Sequence, residues 1–167
     1  VAGNCSAFVP WQITDRTKST HGLMVRNVLT PKTCTLMHYS KFIRPGAVRI
    51  NAQPGFGAVQ VSAFWHEAQK KLAIVAINPT VRRQPLKMTL RNLSDIKSMK
   101  MHRTSASDNL RSVGDLKPSN GAFTLKMMPQ SIVTFSGGIE NSRIKKSPSS
   151  FRPARPTRSP PWTGGRI

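Results

Sequence analysis

The stretch Met37-His38-Tyr39-Ser40-Lys41-Phe42-Ile43-Arg44-Pro45-Gly46-Ala47-Val48-Arg49-Ile50 decides how this chain is read. Its first half continues a helical spacing that opens at Thr30-Pro31, a hydroxyl cap followed by proline at the first helical position. Leu36, Tyr39, Ser40 and Ile43 share one helical face, and Pro45-Gly46 ends the element. From Val48 onward the period changes to two, the signature of strands with one buried face. The spacing therefore predicts a helix before the stop and only strands after it.

Downstream the alternation is regular. Val59, Val61, Ala63 and Trp65 alternate with Gln60, Ser62 and Phe64, while Leu72 to Ile77 is continuously apolar, as in a central strand covered on both faces. Leu86, Met88 and Leu90 alternate with Lys87, Thr89 and Arg91. Met99 and Met101 alternate with Lys100 and His102, Phe123, Leu125 and Met127 with Thr124 and Lys126, and Ile132 to Phe135 closes the series. Asn120-Gly121 and Pro79 mark turns. Short strands at this spacing predict a β-sandwich. Lys87, Arg91, Lys100 and Lys126 then fall on its solvent face, and Phe64, Trp65, Phe123 and Phe135 in its core.

Upstream, residues 5–11 form an apolar run that reads as a buried strand with Pro10 at its end. A polar loop from Thr14 to Gly22 separates it from the helix. One strand and one helix followed only by strands is an unusual order for a whole domain, and a natural one for a cut-off α/β barrel. Past Gly138 the chain becomes rich in Ser, Pro and Arg with no hydrophobic period, a composition that cannot offset its ordering entropy.

The chain has 167 residues, which suits one domain with flanking pieces and falls short of the about 250 that a complete (β/α)8 barrel needs. It opens at Val1 without a basic-then-apolar leader, and no run of roughly 20 apolar residues is present to span a membrane. The net charge of +20 owes as much to having only 6 acidic residues as to its bases. After Glu140 the tail carries Arg143, Lys145, Lys146, Arg152, Arg155, Arg158 and Arg166 with no acid. Aromatics make up 7%, and Phe64, Trp65, Phe123 and Phe135 sit in apolar strands, which disfavours a nucleic-acid stacking platform.

Few residue patterns carry chemistry. Cys5 and Cys34 read as two small buried thiols. His21, His38, His66 and His102 lack metal-ligand spacing, so neither a metal nor a cofactor is expected. Glu67 falls in a turn between strands and Glu140 beside the basic tail. Asn4-Cys5-Ser6 and Asn92-Leu93-Ser94 are glycan acceptor triplets if the protein is secreted.

In their order and spacing, several segments together resemble the end of family 30 glycoside hydrolases. Ser6-Ala7-Phe8 with Trp11-Gln12 resembles that family's last barrel strand. Ser40 to Gly46 followed by Val48-Arg49-Ile50 resembles its passage from barrel to C-terminal β-sandwich. Val61-Ser62-Ala63-Phe64, Val75-Ala76-Ile77-Asn78, Arg103 to Leu110 and Pro129 to Phe135 are similar to its sandwich segments. Thr33-Cys34 departs from the family's bulkier aromatics, and the basic tail has no counterpart.

The resemblance implies the following. Residues 1–46 are the last β/α unit of a truncated barrel, 47–138 an antiparallel β-sandwich, and 139–167 a disordered basic tail. The fold class is mainly β. The family uses two glutamates as acid/base and nucleophile on earlier barrel strands, so no catalytic residue is expected here. Trp11 and Gln12, at the open end of a barrel strand, are the expected sugar contacts. The intact enzyme would be extracellular and act on β-linked glycans, with the missing barrel portion as the sandwich's partner and with an exposed sheet edge and apolar barrel-facing surface left here. The rival expectation is a basic β-sandwich that binds nucleic acid or an acidic polysaccharide.

Overall fold

The computed structural model describes residues 12–15, 22–53, 57–93 and 95–139. Two-residue strands β1 (Thr14–Asp15), β2 (Met24–Val25) and β3 (Val28–Leu29) lead into helix α1 (Pro31–Ser40). Then follow β4 (Val48–Ile50), β5 (Gln60–His66), β6 (Lys71–Asn78), β7 (Gln84–Thr89), β8 (Met99–Thr104), β9 (Arg111–Leu116), β10 (Ala122–Met127) and β11 (Ser131–Gly138). The fold is mainly β and its long strands are antiparallel, as the alternation predicts.

The helix begins where its cap places it. Thr30 sits in extended backbone and its Oγ1 accepts the Thr33 N–H at 3.4 Å, with Pro31 opening the first turn. The last turn closes with the Lys41 N–H on the Met37 carbonyl at 3.1 Å, and the Ile43 N–H reaches Tyr39 at 2.9 Å. Gly46 then turns the chain at φ 92°, where a Cβ would lie 3.3 Å from His66 Nε2. That nitrogen donates to the Pro45 carbonyl at 3.0 Å, which clips the stop onto β5.

One expectation about α1 is corrected. Its fully buried positions are Cys34 and His38, and Ser40 is exposed. Spacing alone favoured the apolar stripe, but the helix lies against β8 and β11, where hydroxyl partners make burial of the His38 ring affordable.

The main sheet runs β4-β5-β6-β11-β8-β9, and a two-stranded sheet, β10-β7, forms the second layer. Register sets the faces. Phe135 stands opposite Ile74 on one side and Met101 on the other, and Val133 opposite Ala76. This face meets Leu86, Phe123 and Met127 of the small sheet to form the core, with the Phe123 and Phe135 rings 5.4 Å apart. Each fully buried side chain such as Leu72 or Phe135 contributes roughly 1.5–3 kcal/mol. Thr134, Thr104 and His102 lie on the opposite face, beneath α1.

Four further differences from the sequence reading appear. Thr14 and Asp15 pair in parallel with Met24 and Val25, so the expected loop begins with a strand. A hairpin, β2–β3, precedes the helix, with Arg26 and Asn27 at φ 49° and 63° as its two-residue turn. Strand β9 edges the main sheet. Phe64 and Trp65 are only half-buried, because Phe64 faces the helix side and Trp65 lies near the β4 edge. On that edge Val48 is 59% exposed.

Candidate functional site

Of the two residues expected to touch sugar, Trp11 lies outside the described residues. Gln12 is exposed at φ 43°, and its carbonyl accepts the Leu23 N–H at 3.4 Å. It thus begins a small scaffold in which the Leu23 carbonyl in turn accepts from the Thr30 hydroxyl at 2.9 Å and from Thr33 Oγ1. The segment carrying Gln12 is tied to the first turn of α1. Cys5, His21, Glu140 and the basic tail also lie outside the described residues.

Two of the described carboxylates, Glu67 and Asp108, are engaged in structural contacts. Glu67 accepts from Trp65 Nε1 at 2.6 Å and from Lys70, and these hydrogen bonds, Lys70 first, hold its carboxyl below the usual range. Asp108 is buried between strands β8 and β9. Arg103 Nε donates to it at 2.8 Å and the Ser105 hydroxyl at 3.0 Å, and Arg111 stands at 3.6 Å. The Arg103 hydrogen bond leads in holding Asp108 below the carboxylate range. A general acid for glycoside cleavage needs its proton held more tightly, the opposite direction. Among the described residues no cluster of three or more His, Cys, Asp or Glu is placed to hold a metal ion.

The most constrained polar arrangement is one the sequence reading passed over as a lone polar histidine. His38 is fully buried between α1 and the sheet. The Leu110 N–H donates to Thr104 Oγ1 at 2.9 Å, so that hydroxyl is free to donate its own hydrogen to His38 Nε2 at 2.9 Å. Nδ1–H then donates to Thr134 Oγ1 at 2.7 Å, and Thr134 donates back to the His38 carbonyl at 3.4 Å. Every proton in this chain has one acceptor when the ring is neutral and carries its hydrogen on Nδ1. Burial, and secondarily the nearby charge of His102, lowers the His38 pKa to about 4. The ring is a pin joining helix to sheet.

These features define a mainly β, antiparallel module with a pinned helix, in which Glu67 and Asp108 are held in structural contacts. Comparison with known proteins sharpens that class. The chain is 32% identical over 140 residues to the glucuronoxylanase XynC of Bacillus subtilis, covering 81% of this chain and 31% of that enzyme. Among solved structures, a family 30 endoxylanase from Clostridium papyrosolvens C71 matches with a TM-score of 0.67 at 31% identity, covering 73% of this chain and 31% of that one. The family 30 subfamily 8 xylanase Xyn30A of Clostridium acetobutylicum matches with a TM-score of 0.65 at 26% identity, over 73% of this chain and 32% of its own. No family model matches. The chain is a relative of glycoside hydrolase family 30, and it spans about a third of the length of the curated relatives it matches.

Proposed function

We propose that this chain is the C-terminal portion of a retaining family 30 glycoside hydrolase acting on β-linked glycans, with xylan the first candidate. In this reading the β-sandwich braces the barrel and performs no bond cleavage itself. The observation that carries it is the asymmetry of the match, 81% of this chain against 31% of a glucuronoxylanase. The His38 pin supports the bracing role, since it fixes α1, the proposed last barrel helix, to the sheet. Trp11 and Gln12 would contact sugar at the open end of the barrel. The intact enzyme would work outside the cell. No helix among the described residues is long and apolar enough to cross a membrane.

Two assays test this reading. The purified chain incubated with glucuronoxylan should release no reducing ends above buffer, and release would overturn the non-catalytic assignment. Substituting this chain for the matching region of the Bacillus subtilis enzyme should give a folded, active chimera. A chimera that folds without activity would count against the bracing role.

A further inference from the structure

Beyond α1, on the face of the main sheet away from the core, lies a hollow of about 600 Å³. Three separate segments bring cations to it. Lys41 and Arg44 come from the end of the helix, Lys71 from the start of β6, and Lys97 and Lys100 from the approach to and start of β8. All five are exposed, and none forms an ion pair with a described carboxylate. Asp115 on β9 is the single carboxylate in the lining. It stands opposite Lys100 in the strand register yet makes no contact short enough to neutralise it.

The field of this cluster reaches the groups beneath it. His102, under Phe42, has its pKa lowered by burial first and then by Lys41 and Lys100. Here the cations surround a concavity, a geometry that concentrates their potential inward.

The uncharged walls narrow the ligand class. Phe42 is tilted against His102 at 4.8 Å, and Phe64 meets Tyr39 edge-on at 6.4 Å. Both rings are half-buried in the lining and add apolar surface beside the cations, with Lys41 Nζ over the Phe42 ring at 5.8 Å. Neither is the free, flat platform a nucleobase needs. Ser136 and Gln69 add a hydroxyl and an amide able to bond sugar hydroxyls. The volume lies in the range of sites that enclose a small molecule, and exceeds what one inorganic ion fills.

We infer that this hollow is a binding site for carboxylated sugars, a stretch of acidic oligosaccharide whose carboxylates meet Lys71, Lys100 and Arg44. The site is built wholly from described residues of this chain and does not rest on the enzymatic reading above.

Calorimetric titration of the full chain with tetragalacturonate tests the assignment. Tetragalacturonate should bind, and uncharged xylotetraose should bind at least about tenfold more weakly. Lys71→Glu with Lys100→Glu should weaken tetragalacturonate binding by about tenfold or more. Lys87→Glu with Lys126→Glu makes the same change in net charge on the small sheet, and should alter binding by less than about twofold. Asp115→Asn should tighten it by about two- to threefold. All five positions are exposed, so the variants should keep the parent's thermal midpoint. Absence of tetragalacturonate binding, equal weakening by both double variants, or preferential binding of a short single-stranded oligothymidylate would each overturn the proposal.

Discussion

At the scale of single residues, His38 makes stability depend on pH in one direction. In the unfolded chain its ring takes a proton near the ordinary 6.5, whereas in the folded chain it resists until about 4. Between those values the unfolded state binds more protons, so stability is fully present above 6.5 and is lost as pH falls toward 4. The loss from this ring is on the order of 3 kcal/mol. His102, also lowered, adds in the same sense. His38→Ala should cost about 2–4 kcal/mol at pH 7, because it leaves a cavity and strands two buried threonine hydroxyls. Urea melts at pH 7 and pH 4.5 should show a smaller pH difference in the variant than in the parent. An unchanged difference would mean the acid sensitivity lies elsewhere. Gly137 is constrained by space: a Cβ there would lie 2.6 Å from the Ser98 carbonyl oxygen and 2.9 Å from Met99 Cγ. Because the nearest atom is backbone, Gly137→Ala should lower stability by about 1–3 kcal/mol, measurable as a shift in the urea midpoint.

At the scale of elements, legibility followed how local each determinant is. The start of α1 was readable because Thr30 and Pro31 act within one turn. Its stop was readable because Pro45-Gly46 forbids continuation whatever surrounds it. Strands β5, β7, β8 and β10 were readable from alternation, and β6 and β11 from continuous apolar runs, since both are covered on both faces. Strand β9 was not. Its sequence Arg-Ser-Val-Gly-Asp-Leu offers no apolar alternation, and it pairs only at the sheet edge with half its side chains in water. The β2–β3 hairpin did carry a signal, Asn27 in a position needing positive φ, but its strands are two residues long. The His38 pin was hidden for a different reason. Its partners lie 66 and 96 residues away, so nothing near the histidine marks it for burial. Lys100 reads from its strand as a solvent-face lysine. It is exposed, but it faces the hollow beside α1, while Lys87 and Lys126 lie on the small sheet.

At the scale of the whole molecule, the boundary that sequence places near residue 46 need not be a boundary in unfolding. A strand-helix unit grafted onto a sandwich would melt by itself if only the Pro45-Gly46 connection joined them. The structure supplies stronger ties. His38 is hydrogen-bonded to β8 and β11, adjacent strands of the main sheet, and Cys34 is buried on the same helix. Tyr39 packs its ring edge against Phe64 of β5, and His66 holds the Pro45 carbonyl. Opening α1 alone would strip the buried Thr104 and Thr134 hydroxyls of their His38 partner, so helix and sheet should open together. Native-state hydrogen exchange measures this directly. Amides of Met37 and His38 should open with free energies within about 1 kcal/mol of those for Val75 and Ala76 in β6. Helix amides exchanging through a separate, lower-energy opening would make residues 31–40 an independent unit and would remove the mechanical basis for bracing through this helix.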